Sequence, residues 1–294
     1  MDRDYIIATA STADLSREYF EEHNIPFISY SYVIGDDSYE DDCTDATRND
    51  IYKRMRGGEL LSTSAINQFQ YQEFFEGLIQ DGKNVIFLDM SRPLSSAYRF
   101  ADAAIEELKE DYPDVKIVNV DTCCVSGGLG MLVRKVVKLY EDGASFDEVL
   151  SWIEENKLKI VHRFTVDDLN WLKRGGRVSN ASALVGTLLS IKPVLRVAND
   201  GSLEAISKVR GRKAALNSII DSVKSDISGK KGTEFSILHA DCLEDAEYVK
   251  NRIMEEIPDA GDIDITGLGV IIGAHCGPGL LAVFYMTDEP VREV

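Results

Sequence analysis

The 294-residue sequence lacks long apolar runs, and no window approaches the roughly 20 consecutive apolar residues that a membrane-spanning helix needs. Its first residues are partly acidic, whereas a secretory signal has a basic region followed by a long apolar one. Basic residues are also scarce, since 32 Lys and Arg stand against 50 Asp and Glu and give a formal net charge of −18. That charge repels nucleic acid and anionic lipid surfaces. We expect a cytoplasmic protein without a nucleic-acid partner and without stable membrane insertion.

Motifs for common catalytic and cofactor chemistries are absent as well. The five cysteines show no CxxC spacing, which argues against a zinc site and a disulfide framework, and the four histidines form no HExxH pair. Neither a P-loop nor a GxSxG nucleophile elbow occurs. The glycine-rich stretch at 126–130 fails the dinucleotide fingerprint, and we interpret it as a serine cap with glycines that let a helix approach a sheet closely. We expect no cofactor and no metal site.

Two stretches of the sequence are rich in charged residues. GDDSYEDD at 35–42 lacks the spacing of a calcium loop and is predicted to be a solvated loop, with weak cation binding as the alternative. The densest basic cluster comprises Lys173, Arg174 and Arg177, and it either forms a solvated helix end capped by a glycine at 175–176 or binds an anion. The sequence leaves both possibilities open for this cluster.

The first half of the chain alternates strand-like and helix-like segments. Apolar, β-branched runs predict strands, and apolar residues at helical spacing predict helices between them. Because such alternation implies parallel pairing with helices on both faces, we predict a three-layer α/β domain with a parallel sheet. The predicted strands are 5–10, 27–34, 84–90 and 116–122, and the predicted helices are 70–82, 96–113 and 126–142.

The pattern changes after a capping box formed by Ser145 and Glu148, which opens a helix. Consecutive strands and a hairpin then replace the alternation, which predicts a second α/β domain with a mixed sheet. We place the two domains at 1–156 and 157–294, with the ligand between them. The second domain is predicted to hold a strand at 159–166, a short helix at 168–176, a hairpin turning at 199–201, and strands at 234–240, 262–268 and 280–287.

Hydroxyl side chains recur after the predicted strands, at the sheet edge where α/β proteins bind ligands. Any single hydroxyl could be a helix cap, but their recurrence on one side of the sheet predicts a site. His275 lies in a glycine- and proline-rich turn at 273–279, either as an ordinary loop residue or as a ligand contact. The hydroxyl-bearing segments are Ser11-Thr12, Ser62-Thr63-Ser64, Ser91 to Ser96, and the stretch from Thr122 to Gly130.

The order of short motifs along the whole chain resembles that of the DegV family. LKRGGR followed by VGTLLSIKP and then HCGPG is specific in combination. The resemblance implies a parallel α/β domain followed by a mixed-sheet α/β domain, in agreement with the pattern above. The motifs are ASTADLS (10–16), LSTS (61–64), SRPLSSAY (91–98), VDTCCVSGGLG (120–130), WLKRGGRVS (171–179), IKPVL (191–195) and HCGPG (275–279).

The resemblance implies a bacterial carrier of long-chain fatty acids such as palmitate. It places the fatty-acid carboxylate on the hydroxyls of Thr63 and Ser95, with the family's turn histidine at His275. Neighbouring hydroxyls at Ser11, Ser64 and Ser96 are further candidates for the same site. The resemblance also implies a partner, an ATP-binding fatty acid kinase subunit that phosphorylates the bound carboxylate to an acyl phosphate.

Three motifs depart from the family pattern. The usual Asp at the end of the first strand is Ala10, the usual Gln-Pro-Ser after Thr63-Ser64 reads Ala65-Ile66-Asn67, and the usual Gly-Thr after Ser95 reads Ser96-Ala97. These changes leave Thr63 and Ser95 intact and alter the residues around them.

Two other functions remain open at the level of sequence. An acyl hydrolase would use Ser95 as nucleophile and His275 as base, although the GxSxG elbow is missing. A regulatory protein would hold a lipid as a structural filling that does not exchange.

Overall fold

The computed structural model describes residues 4–177 and 191–292. Residues 178–190, which hold part of the VGTLLSIKP motif, lie outside the described residues.

Strands and helices alternate through the first half and then give way to consecutive strands. The strands are β1 (Tyr5–Ala10), β2 (Phe27–Ile28), β3 (Ser31–Ile34), β4 (Asp37–Glu40), β5 (Leu61–Ser64), β6 (Asn84–Asp89), β7 (Ile117–Asp121), β8 (Ile160–Thr165), β9 (Ile191–Val197), β10 (Leu203–Arg210), β11 (Thr233–His239), β12 (Ala260–Gly267) and β13 (Leu281–Met286). The helices are α1 (Arg17–Glu22), α2 (Asp45–Arg56), α3 (Gln68–Ile79), α4 (Tyr98–Asp111), α5 (Gly127–Asp142), α6 (Phe146–Asn156), α7 (Leu169–Arg174), α8 (Arg212–Asp226), α9 (Leu243–Glu256) and α10 (Val270–Cys276).

The first half of the chain forms a parallel sheet in the strand order β2-β1-β6-β7. The strands β1 and β6 pair in register from Tyr5 opposite Asn84 to Thr9 opposite Leu88. Helix α3 contacts β6 and α4 contacts β7, while α5 contacts β1 and β6. This arrangement confirms the parallel α/β domain that the alternating pattern predicts.

The segment predicted as one strand at 27–34 is two strands in different sheets. It leaves the parallel sheet after β2, and at this bend the Tyr30 N–H donates to the Ser11 hydroxyl (3.2 Å). The chain then enters a small antiparallel sheet, in the order β4-β3-β5, whose central strand is β3. The prediction of one strand is wrong because the Ser11 hydroxyl, directly after β1, accepts a hydrogen bond from the Tyr30 N–H in the middle of the apolar run.

The acidic stretch at 35–42 is also partly a strand rather than a solvated loop. Gly35, with φ of +64°, turns the chain into the exposed strand β4, where Tyr39 stacks on Tyr32 at 5.5 Å. Asp41 is buried, and its carboxylate accepts a hydrogen bond from the Cys43 N–H (3.1 Å). The loop prediction fails because cross-strand pairing with β3 and one buried carboxylate organise this segment.

The second half forms a mixed sheet in the order β10-β9-β8-β13-β11-β12. The β9–β10 pair is antiparallel and β11–β12 is parallel, so the predicted hairpin and the mixed sheet are both confirmed. Helix α8 contacts β8 and β9, and α9 contacts β11 and β12. The capping box of Ser145 and Glu148 opens α6 as predicted. The domain boundary near residue 156 falls at the end of α6 and remains a prediction.

Helix α5 lies between the two sheets and contacts strands of both. A Cβ added at Gly127 would come within 2.6 Å of the Phe284 ring, and one at Gly130 within 2.5 Å of the Ala13 carbonyl oxygen. The glycines therefore permit the close approach that the sequence predicts. The serine cap is wrong, because the Ser126 hydroxyl donates to Asp14 (2.5 Å) instead of capping the helix.

Candidate functional site

A cavity of about 550 Å³ lies between the two halves of the chain and takes lining residues from both. The segment Leu61–Ser64 contributes β5, and the loop after β6 adds further residues of the first half. The second half supplies β8, β13, α7 and α10. Much of this wall is apolar, with Met90, Leu94, Phe164, Ile271, Leu280 and Phe284 among its side chains. The cavity therefore offers a largely apolar lining to a ligand.

Hydrogen-bonding side chains meet in one part of the cavity wall. Thr63 on β5 and His275 on α10 come from opposite halves of the chain, and Thr63 Oγ1 lies 3.0 Å from His275 Nε2. Ser95 lines the same cavity from the loop before α4. Its hydroxyl oxygen accepts a hydrogen bond from the Ala97 N–H (3.2 Å), which leaves the hydroxyl proton free to donate elsewhere.

The sequence predicts that His275 lies in a glycine-rich loop, but this residue belongs to the last helical turn of α10. The run from Val270 to Cys276 is helical because its apolar side chains are mostly buried, and the glycine-rich turn begins only at Gly277 with φ of +74°. Burial and the nearby Arg177 guanidinium lower the pKa of His275 to about 4. The imidazole is therefore neutral at pH 7, with one ring nitrogen able to donate and the other able to accept.

The remaining predicted site residues divide into two groups. Ser64 and Ser96 are exposed and line the cavity. Ser11 is buried outside this lining, and its hydroxyl accepts the Tyr30 N–H. Ala97, one of the departures from the family pattern, is buried and presents its backbone N–H to Ser95.

The basic cluster also lies partly inside and partly outside the cavity lining. Arg177 lines the cavity, and its guanidinium donates to the Leu94 carbonyl (3.2 Å) and to the Gly175 carbonyl. Arg174 also lines the cavity and stacks over Trp171 at 4.2 Å. Lys173 is exposed and lies outside the lining. A cation thus stands beside the neutral donors, so this part of the cavity favours an anion.

Other residues of the site give no signal in the sequence. Tyr30 and His162 both line the cavity, yet each lies in an apolar run that is typical of a buried strand. The His162 ring meets Phe284 edge-on at 5.3 Å, and its Nε2 accepts the Val125 N–H (3.3 Å). Burial lowers its pKa well below the ordinary value, so this histidine contributes a neutral ring to the wall.

The serine and histidine that a hydrolase would use have other hydrogen-bond partners in the described residues. His275 makes its hydrogen bond with Thr63, and among the described residues no hydrogen bond joins His275 to Ser95. No group of three or more potential metal ligands occurs in residues 4–177 and 191–292. In that same part of the chain, no helix has the length and apolar character to cross a membrane.

Comparisons with known proteins agree on one family. The model described as "Uncharacterised protein, DegV family" matches residues 5–288. A DegV domain-containing protein of Clostridium perfringens is 39% identical over 285 residues, which cover 97% of this chain and 98% of the relative.

Solved structures of this family share the fold. A DegV lipid binding protein from Thermotoga maritima superposes with a TM-score of 0.84 at 27% identity and covers 97% of this chain and 99% of its own. A DegV family protein from Thermus thermophilus, described by its fatty acid binding, has a TM-score of 0.87 at 26% identity and covers 96% and 99%. The chain described here therefore belongs to the DegV family.

Proposed function

We propose that this protein binds one long-chain fatty acid, such as palmitate, in the cavity between its halves. The carboxylate lies against Thr63, Ser95 and His275, with Ser64 and Ser96 nearby, and the acyl chain runs along the apolar wall. The observation that carries the proposal is a largely apolar cavity of about 550 Å³ that is lined by two hydroxyls and a neutral imidazole, with one hydroxyl paired to the imidazole. The fatty-acid binding of the Thermus thermophilus relative supports it.

The energetics favour this ligand. Burial of about fifteen methylenes at roughly 0.8 kcal/mol each contributes on the order of 12 kcal/mol before the entropic cost of association. A carboxylate without partners in such a place would cost several kcal/mol, and charge-assisted hydrogen bonds offset that cost. Ser95 provides one donor of this kind, the hydrogen-bonded pair of Thr63 and His275 retains another, and Arg177 adds a positive charge nearby.

The protein acts in this proposal as a cytoplasmic carrier without catalysis of its own. It presents the bound carboxylate to a separate ATP-binding kinase, which forms the acyl phosphate. Two domains, 1–156 and 157–294, enclose the lipid. The pairing of His275 with Thr63 supports a binding role, because in the described residues this histidine bonds to Thr63 and not to Ser95.

Native mass spectrometry of the purified protein tests the binding step. We expect one fatty acid per chain, exchangeable with added palmitate, and an affinity that falls roughly tenfold in Ser95→Ala and in Thr63→Val, since each loses a hydrogen bond to a charged group. Ser222→Ala is a matched control, because that hydroxyl donates to the Ser218 carbonyl (2.9 Å) on α8, outside the cavity lining. A protein that takes up no palmitate would contradict the proposal, and a lipid that never exchanges would favour a structural filling.

A separate assay tests the carrier step. The lipid-loaded protein is mixed with ATP and a bacterial fatty acid kinase, and acyl phosphate is trapped with hydroxylamine. We expect product only when all three are present, and no hydrolysis of a chromogenic ester by the protein alone. Ester hydrolysis that disappears in Ser95→Ala would instead establish an acyl hydrolase.

A further inference from the structure

Tyr30 forms part of the cavity wall and is held there by its backbone. Its side chain is only 4% exposed, and its N–H is fixed by the hydrogen bond to Ser11. The phenol hydroxyl is buried and has no hydrogen-bond partner among residues 4–177 and 191–292. Buried hydroxyls without partners are uncommon, since each gives up its hydrogen bonds to water, so this one calls for an explanation.

Two residues of the cavity wall, Ser95 and Arg177, lie beside this hydroxyl. The Ser95 hydroxyl and the Arg177 guanidinium lower the pKa of the Tyr30 phenol, as does the Tyr71 hydroxyl, which lies outside the cavity lining. Burial and the nearby Asp89 outweigh them and raise that pKa above its ordinary value. The phenol therefore keeps its proton at pH 7 and can act as a donor.

We propose that the Tyr30 phenol is an additional ligand-binding group, which donates a hydrogen bond to the carboxylate of the bound fatty acid. The inference rests on the proposed function, because it takes the head group to lie beside Ser95. A carboxylate has two oxygens with about four acceptor positions, so one donor from Ser95 and one from the hydrogen-bonded pair of Thr63 and His275 leave room for a third. The carboxylate of the ligand is thus the hydrogen-bond partner that the Tyr30 hydroxyl lacks in the described residues.

Tyr30→Phe tests the inference, because it removes the hydroxyl and keeps the ring. Isothermal titration with palmitate should show an affinity roughly tenfold weaker than that of the unaltered protein, as expected for a hydrogen bond to a charged group. Tyr5→Phe is the matched control. It also loses a buried phenol hydroxyl, which donates to the Ala144 carbonyl (2.7 Å), and Tyr5 does not line the cavity. Its affinity should stay within about twofold of the unaltered protein.

A second readout reports on the carboxylate itself. In palmitate labelled with ¹³C at the carboxyl carbon, the bound resonance should shift in Tyr30→Phe and remain unchanged in Tyr5→Phe. If the unaltered protein binds palmitate and Tyr30→Phe changes neither affinity nor resonance, the role of Tyr30 is overturned while the fatty-acid function stands. If the unaltered protein binds no palmitate, both fail together.

Discussion

Two clusters of buried or half-buried polar side chains lie close to the contact between the halves of this protein, and they differ in where their hydrogen bonds go. The interface cluster consists of Asp14, Arg48, Tyr52 and Ser126. Arg48 donates to the Leu15 carbonyl (2.8 Å) and, across the chain, to the Gly267 carbonyl (3.2 Å). Its hydrogen bonds therefore join the end of β1 to the end of β12.

The head-group cluster consists of Tyr30, Thr63, Ser95 and His275. Its members are neutral donors on the cavity wall, and at least one of them, the Tyr30 hydroxyl, has no partner in the described residues. In the interface cluster Arg48 Nε and Asp14 Oδ1 also lack partners in the described residues, but neither residue lines the cavity. A missing partner alone therefore does not identify a binding site. In the head-group cluster it coincides with a position on the cavity wall.

The largest expected effect is the loss of the cation from the interface cluster. Arg48 is 2% exposed and stands near two buried carboxylates, Asp14 and Asp41, whose pKa values it lowers against the effect of burial. Arg48→Ala removes that charge and the hydrogen bonds to both halves. We expect the free energy of unfolding to fall by about 3–5 kcal/mol, measured by urea denaturation.

Arg17→Ala is the matched control for this substitution. Arg17 pairs with Glu21 on the surface of α1, where both side chains are about half exposed or more, so its removal should change stability by less than about 1 kcal/mol. Equal losses in the two variants would contradict a structural role for the interface cluster.

A smaller effect concerns the pH dependence of stability. Burial raises the pKa of Asp14 from 3.8 to about 7, with Arg48 and Ser126 acting in the opposite direction. The folded state therefore binds a proton that the unfolded state releases near pH 4. The resulting stabilisation is complete below pH 4 and is lost as the pH rises through 7, at up to about 1.4 kcal/mol per pH unit.

Asp14→Asn should flatten this dependence between pH 5 and 7 without removing it. Asp41 and Asp89 are also buried, and their pKa values are raised to about 6 and about 7, so they keep a slope of the same sign. Denaturation curves at intervals of one pH unit measure the difference. An unchanged slope in Asp14→Asn would show that this carboxylate titrates outside the window.

The fold could be predicted from the sequence to a large extent because local pattern and tertiary structure agree in most segments. The strands at 5–10 and 84–90 are apolar runs that pair as predicted, and the turn at 199–201 closes a hairpin. Prediction fails where a distant side chain decides the local structure. Ser11 captures the Tyr30 N–H and divides one apolar run between two sheets.

The site could be predicted only in part, for a related reason. The resemblance to the DegV family leads to Thr63, Ser95 and His275, and all three line the cavity. Tyr30 could not be found in this way, because an aromatic residue in an apolar run is indistinguishable from a core residue until the cavity is known. Only the position of its hydroxyl, buried without a partner, separates it from the core.

The smallest effect comes from one chemical change made in both clusters, the removal of a phenol hydroxyl. The Tyr52 hydroxyl lies 3.1 Å from the Leu268 carbonyl oxygen and 3.3 Å from that of Gly269, so Tyr52→Phe loses a buried hydrogen bond and should lower the free energy of unfolding by about 1 kcal/mol. Tyr30→Phe removes a hydroxyl without such a partner and should change it by less than about 0.5 kcal/mol. Urea denaturation of lipid-free protein at pH 7 compares the two. Equal decreases in the free energy of unfolding would mean that the Tyr30 hydroxyl already has a hydrogen-bond partner in the lipid-free protein. The head-group cluster would then not differ from the interface cluster at Tyr30, the residue on which the comparison depends most.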